Sequence, residues 1–357
     1  MPAPPSARPR ARPARLMPTH THMVHRPRTL ALAAAVALAL VLPLAAQQKT
    51  LTVYSSRSHY GAESVFDDFT KQTGIKVAFF NGNNNEVFER LKAEGARTPA
   101  DLLLTVDAGN LWNAAREGLL APVSSPALEA NVPAPYRDPE GRWFGIAVRA
   151  RTIAYSKARV APGDVPTYES LGDPRWKGRL CLRSSTNVYN QSLLAALIAQ
   201  RGEAQVERMV RAWVANDPVY VNGDTGLLQA IAAGQCDVGI SNSYYLGRLL
   251  EKDPAFPVAL AWADQQGAGV HVNVSGGGVT THAKHRAEAV ALLEFLTSAA
   301  AQGTLAGRSH EFPVNPAVAP LPMLAGWGAF KADRAGVAAA GAHQAAAVRL
   351  ADRAGYK

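Results

Sequence analysis

The sequence predicts a two-lobed α/β protein built on mostly parallel sheets, with two long strands running between the lobes. Three observations carry this expectation. Strand and helix patterns alternate from Leu51 to Glu117, the alternation restarts after Trp143, and two extended runs, Gly145–Tyr155 and Val270–Thr280, stand outside it. A chain of 357 residues is long enough for two domains, and 48% hydrophobic with 18% charged residues excludes a disordered chain or a coiled coil.

The elements follow in order. Leu51-Thr-Val-Tyr54 reads as a strand, and Ala62, Val65, Phe66 and Phe69 make a helix face closed by Gly74. Ile75–Phe80 is a strand, Glu86–Glu94 a helix ended by Gly95, and Asp101–Val106 a strand with a helix after it to Glu117. In the second series, Gly178–Arg183, Val219–Val221, Cys236–Ser241 and Val258–Trp262 read as strands. Helices are expected near Gln191–Arg201, Ala204–Ala215, Gly226–Ala233, Leu246–Lys252 and Ala287–Ala301, with an Ala-rich helical tail. The two long strands, with Gly276–Gly278 expected near a hinge or in a plain turn, give the clamshell plan of solute-binding proteins, which close by hinge motion.

Charge has to be divided by position. The net charge of +9 falls to +3 once Arg8, Arg10, Arg12, Arg15, Arg26 and Arg28 are set aside, so no nucleic-acid patch is expected. Those arginines precede the apolar run Leu30–Ala46, which ends in small residues and contains Pro43. This is the pattern of a cleaved secretory signal rather than of a membrane anchor, with cleavage near Ala46. For an exported chain, the two cysteines, Cys181 and Cys236, are either one disulfide between neighbouring strands or two buried thiols.

Ligands of open parallel sheets bind beyond the carboxyl ends of the strands. Three such ends deliver tyrosine: Ser55-Ser-Arg-Ser-His-Tyr60, Ser184-Ser-Thr-Asn-Val-Tyr189 and Asn242-Ser-Tyr-Tyr245. Tyr60, Tyr189, Tyr244 and Tyr245 with His59 form an oxygen-rich donor set. Phenolate is a hard ligand, suited to Fe³⁺ far better than to Zn²⁺ or Cu⁺. On spacing alone, tyrosines lining a sugar or amino-acid pocket, or packing with their hydroxyls bonded, are the stronger reading.

Several segments taken together resemble the bacterial periplasmic ferric-ion-binding proteins, the substrate-binding components of iron ABC importers. They are Val53-Tyr-Ser-Ser-Arg-Ser-His-Tyr60, Leu91-Lys-Ala-Glu-Gly95, Thr98-Pro-Ala-Asp101, Thr105-Val-Asp-Ala-Gly109, Arg183–Ser192, Ser241–Gly247 and Glu311–Pro316, spread over nearly the whole chain after the leader. The resemblance implies a type II-like periplasmic binding protein of the tyrosine-rich branch, with Fe³⁺ as transported ligand. Tyr60, Tyr189, Tyr244 and Tyr245 would be ligands and His59 a fifth, although Ser58 is an extra residue in that motif. The branch lacks the carboxylate ligand that some relatives carry where this chain reads Val106-Asp107-Ala108. A synergistic anion is a candidate co-ligand, with Ser184–Thr186 as its cradle or as an ordinary helix cap. Arg57, Arg149 and Arg151 either balance the phenolate charge or form salt bridges.

The resemblance further implies an inner-membrane ABC permease with its ATPase as partner, a periplasmic location and a monomer. The expected lobes are residues 47–148 plus 273–305 and 149–272 plus 306–357, after the signal at 1–46. An organic solute or oxyanion (polyamine, thiamine, phosphonate) in the same fold is the alternative. No acid/base or nucleophile pair supports an enzyme. A sensing receptor stays open, although no signalling segment is attached. His282 and His285 read as a polar turn, and Asn81–Asn85 as a turn cluster on the cleft rim.

Overall fold

The computed structural model describes residues 49–57, 64–333 and 336–357. The expected signal at 1–46, Ala62 of the first helix face, and two of the expected ligands, His59 and Tyr60, lie outside the described residues.

The first series is β1 (Thr50–Ser55), α1 (Ser64–Thr73), β2 (Lys76–Asn81), α2 (Asn84–Glu94), β3 (Leu102–Thr105), α3 (Ala108–Arg116) and α4 (Pro126–Asn131). Helix α1 buries Val65, Phe66 and Phe69, the face its spacing predicts, and stops at Gly74, whose φ of 72° suits glycine. Helix α2 starts on a capping box: Asn83 accepts from the Glu86 N–H, while the Glu86 carboxylate accepts from the Asn83 N–H.

The long strand β4 (Phe144–Ser156) is buried along its whole length, and β5 (Leu180–Leu182), α5 (Val188–Arg201), α6 (Glu203–Ala215), β6 (Val219–Tyr220), α7 (Asp224–Ala232), β7 (Val238–Asn242), α8 (Ser243–Lys252) and β8 (Val258–Ala261) follow it. The chain continues through β9 (Val272–Val279), α9 (Arg286–Thr297), α10 (Ala299–Ser309), β10 (Phe312–Pro313), α11 (Pro322–Ala325), α12 (Gly336–Ala342) and α13 (Gln344–Arg353).

Strand order is β2-β1-β3-β9-β4-β7-β5-β6, with β8 and β10 also paired to β4. The parallel set β2-β1-β3 and the parallel set β7-β5-β6 are joined through antiparallel β9 and β4. Strand β4 changes partner partway along: Phe144–Ala150 pairs with β9, and Arg151–Tyr155 pairs with β7. Two buried arginines, Arg149 and Arg151, therefore sit on either side of the change.

Three expectations need correction. The helix expected over Ala287–Ala301 is two helices, α9 and α10, bent by 69° at Ser298, which caps α10 by accepting from the Ala301 N–H. The glycines Gly276–Gly278 do not form a turn but lie within β9, opposite Thr105, Leu104 and Leu103 of β3. A Cβ at Gly276 would stand 2.5 Å from the Phe144 carbonyl oxygen, so close strand packing is what excludes a side chain there. Finally, Cys236 precedes β7 rather than opening it.

Cys181 of β5 and Cys236 are joined by a disulfide, which settles the choice left open by the sequence. It closes a loop of 55 residues beneath the second parallel set. Replacing both cysteines by serine is expected to lower stability by about 4 kcal/mol on the chain-entropy account. A denaturant midpoint unchanged from the oxidised parent would contradict this.

Candidate metal centre

Strands β5 and β7 are adjacent and parallel, so their carboxyl ends emerge side by side. Each leads directly into a helix, α5 or α8, and the expected tyrosines fall in the first turns. Asn187 caps α5 by accepting from the Tyr189 N–H at 3.0 Å, and Tyr244 and Tyr245 are the second and third residues of α8. The topology thus converts a sequence separation of more than fifty residues into contact. Tyr244 Oη donates to Tyr189 Oη at 3.4 Å, and the rings of Tyr244 and Tyr245 lie 4.2 Å apart.

The first parallel set faces this trio. Val106, just past β3, packs with Tyr189 and Tyr244. Ser56, Gly82, Asn83, Asn84 and Val106 line one side of a cavity of ≈ 450 Å³, while Arg183, Asn187, Val188, Tyr189 and Tyr245 line the other. Tyr189 and Tyr245 thus line an opening between the two strand sets, and Tyr244 is buried against them. The Asn81–Asn85 cluster does supply the rim, through Asn83 and Asn84. His59 and Tyr60 follow Arg57 outside the described residues.

Arginines surround the phenols. The guanidinium carbons of Arg149, Arg151 and Arg183 lie 5.8, 5.9 and 5.5 Å from the Tyr189 ring centre. That of Arg248, one helical turn past Tyr244, lies 5.0 Å from the Tyr244 ring. Two buried carboxylates hold most of these cations. Glu311 pairs with Arg57 at 2.8 Å and with Arg149 at 3.6 Å, and accepts from Ser275 Oγ. Asp224 pairs with Arg151 at 3.0 Å and with Arg183 at 3.7 Å, while Asn190 and Asn242 also accept from Arg151. Guanidiniums this close to a phenol favour its phenolate form. The salt bridges expected of Arg57, Arg149 and Arg151 are present.

Burial pushes the Tyr245 phenol above its ordinary value, and the neighbouring Tyr189 and Asp224 add to the rise; the Tyr244 hydroxyl and Arg183 pull the other way. Without a cation the phenol keeps its proton at neutral pH. Asp107, in the segment where the resemblance raised a carboxylate ligand, is fully buried and engaged. It caps α3 at the Gly109 N–H and accepts from Ser192 Oγ at 2.7 Å and from Asn273 Nδ2 at 2.9 Å. Since Ser192 lies on α5, this carboxylate ties the two halves together rather than facing the cavity, and burial raises its pKa. Among the described residues, no three His, Cys, Asp or Glu side chains gather as a metal site.

The anion cradle expected at Ser184–Thr186 is already filled by protein groups. The Ser185 N–H donates to Lys357 O, Thr186 N–H to Ser184 Oγ and Asn187 N–H to Ser184 O. Sequence reading missed Asp224, Glu311 and Arg183 as parts of the site. A signal existed for the first two, because paired arginines in an otherwise apolar strand, Val148-Arg-Ala-Arg151, demand buried counter-charge. Replacing Asp224 by Asn removes the charge shared by Arg151 and Arg183 and is expected to cost about 3–5 kcal/mol. The check is a lowered denaturant midpoint at unchanged slope.

A clamshell of two strand sets with a polar cavity between them defines a solute-binding protein. The chain belongs to the bacterial extracellular solute-binding protein family, whose model matches residues 64–332. It is 42% identical over 318 residues to iron uptake protein A1 of Synechocystis sp., covering 87% of this chain and 88% of the relative. It is 30% identical over 284 residues to the Fe(3+)-binding periplasmic protein of Serratia marcescens, covering 78% and 83%. The structure of Trichodesmium IdiA (FutA) in complex with iron and citrate superposes with a TM-score of 0.82 at 42% identity, over 86% of this chain and 100% of that one. A protein of this class is the binding component of an import system that works with a membrane permease, and it is not an enzyme.

Proposed function

We propose that this protein captures ferric iron through tyrosine phenolates at the cleft between its lobes and delivers it to an ABC permease and its ATPase. The observation that carries the reading is the clustering of Tyr189 and Tyr245 on one cavity wall with the buried Tyr244, whose hydroxyl meets that of Tyr189 at 3.4 Å among arginines. The ligand set is those three with Tyr60 and His59, whose segment follows Ser56 on the opposite wall. The relatives that carry iron uptake or Fe(3+) binding in their names support the choice of metal.

Four phenolates bring one more negative charge than Fe³⁺ neutralises, and the surrounding guanidiniums offset it. Because ligands come from both sides, the metal binds the closed form better than the open one and shifts the population toward closure. The lobes are 47–148 with 273–305 and 149–272 with 306–357; the change of partner by β4 between Ala150 and Arg151 supports a boundary there. We further propose export through a signal cleaved near Ala46 to the periplasm, and a monomeric state.

The test is to purify the exported protein, measure its metal content and record its visible spectrum. One ferric ion per chain with a phenolate-to-iron charge-transfer band is the expected result. A colourless protein that takes up no iron from a ferric chelate overturns the reading.

A further inference from the structure

Tyr189 and the Tyr244–Tyr245 pair stand on different helices, and the contact between them depends on a proton. As phenols they share a hydrogen bond of 3.4 Å, donated by Tyr244 Oη to Tyr189 Oη. Once both are phenolates, neither oxygen can donate, and two like charges at that distance repel. A device that keeps the two helix starts at one spacing in both states has to lie elsewhere, and it must not titrate.

Arg151 meets both conditions. It is buried on β4, and its guanidinium reaches the starts of three helices. Nε and Nη2 donate to Asn190 Oδ1 at 3.0 and 2.6 Å, and Asn190 follows Tyr189 directly on α5. Nη1 donates to Asn242 Oδ1 at 3.1 Å and to Asp224 Oδ2 at 3.0 Å. Asn242 stands two residues before Tyr244, at the start of α8, and Asp224 opens α7. Asp224 Oδ2 also accepts from the Asn242 N–H at 3.1 Å, which closes the ring. Asn242 holds the N-cap position of α8, yet its side chain makes no capping bond there; its oxygen is turned to Arg151 instead. Asn190 Nδ2 donates to Arg183 O and Ser184 O, so the grip extends to the chain leaving β5. The strand side is fixed as well: the Arg151 N–H donates to His271 O, and its carbonyl accepts from Tyr168 Oη.

We propose that Arg151 is a positioning residue for the tyrosine site, setting the distance from Tyr189 to the Tyr244–Tyr245 pair through Asn190 and Asn242. This rests on the ferric reading above. A guanidinium keeps its charge whether or not the phenols are ionised, and it presents its donors in a rigid planar fork. One side chain therefore holds two tyrosine-bearing helices and one carboxylate at once. A lysine would keep the charge, but its single nitrogen on a flexible stem cannot hold Asn190 and Asn242 in that geometry. The role is thus separable from offsetting phenolate charge, which any buried cation would do.

The experiment loads the full-length exported protein and its variants with ferric nitrilotriacetate. Ferric affinity by chelator competition, the position of the visible band and the denaturant midpoint are measured for each. Arg151→Lys should lower affinity by about 10–100-fold and shift the band, the scale seen when an outer partner of a metal ligand is lost. Asn190→Ala and Asn242→Ala leave the arginine in place and keep the test alive if Arg151→Lys folds poorly. Each should lower affinity by about tenfold. Because both act through one guanidinium, the double variant should lose less than the product of the two single losses. Asp237→Asn is the control for plain loss of stability. It removes a carboxylate shared by Arg159 and Arg179 at the opposite end of β7, and should lower the midpoint without moving the band. Parental affinity and band in Arg151→Lys and both asparagine variants overturn the proposal. So do single losses that simply multiply, or an equal band shift in Asp237→Asn, and each of these leaves the ferric reading standing. A parent that takes up no iron removes the ferric reading and this proposal with it.

Discussion

Tyr244→Phe should weaken ferric affinity by at least about a hundredfold and bleach or shift the visible band. Losing an outer partner of a metal ligand already costs 10–100-fold, and losing a ligand atom costs more. The substitution deletes one hydroxyl and leaves the ring in place. That ring is fully buried against Val106 and Tyr189, so packing and fold should survive. Tyr136→Phe is a suitable control, since Tyr136 lies outside the tyrosine cavity and should leave the band untouched. Full affinity with an unchanged spectrum in Tyr244→Phe would remove the phenolate reading. A loss of affinity with denaturant stability equal to the parent would tie the effect to the hydroxyl rather than to folding.

Affinity should also collapse in acid, and steeply. Burial holds the Tyr245 phenol above its ordinary value, so in the metal-free protein it is protonated throughout the neutral range. Binding must then expel its proton, because only the phenolate ligates a ferric ion. The sign follows directly: each expelled proton makes binding tenfold weaker per unit fall in pH below the phenol's pKa. With two or more phenolates among the ligands, apparent affinity should drop by about a hundredfold or more per pH unit. Competition against a chelator of known ferric affinity at pH 8, 7 and 6 measures the slope. Near-constant affinity across that range would mean that the ligands are not buried phenols. The same slope offers a route to release, because opening the cleft admits water and protons to the phenolates together.

Much of this architecture was legible because its signals are local. Helical spacing identified the buried face of α1, glycine marked its end, and alternating strand and helix runs implied parallel sheets. The tyrosines were legible for a related reason: each follows a strand end, and strand ends in such sheets converge. The break between α9 and α10 was not legible. Ser298 can sit inside a helix or cap one, and an Ala-rich sequence continues on both sides. The role of Gly276–Gly278 was hidden too, since three glycines read as a turn until the neighbouring strands are known to press against them.

Residue by residue, the sequence alone determined the α/β class, the candidate ligands and the need for counter-charge around Arg149 and Arg151. Only tertiary structure decided which groups meet. It paired Asp224 with Arg151 across 73 residues and Glu311 with Arg57 across 254, bonded Cys181 to Cys236, and turned Asp107 from the cavity toward Ser192. It also engaged the Ser185 and Thr186 N–H groups with protein acceptors. The physical reason is the same in each case. Periodicity and turn chemistry act over a few residues, whereas the partner of a buried charge or the free end of an amide depends on which strands lie side by side.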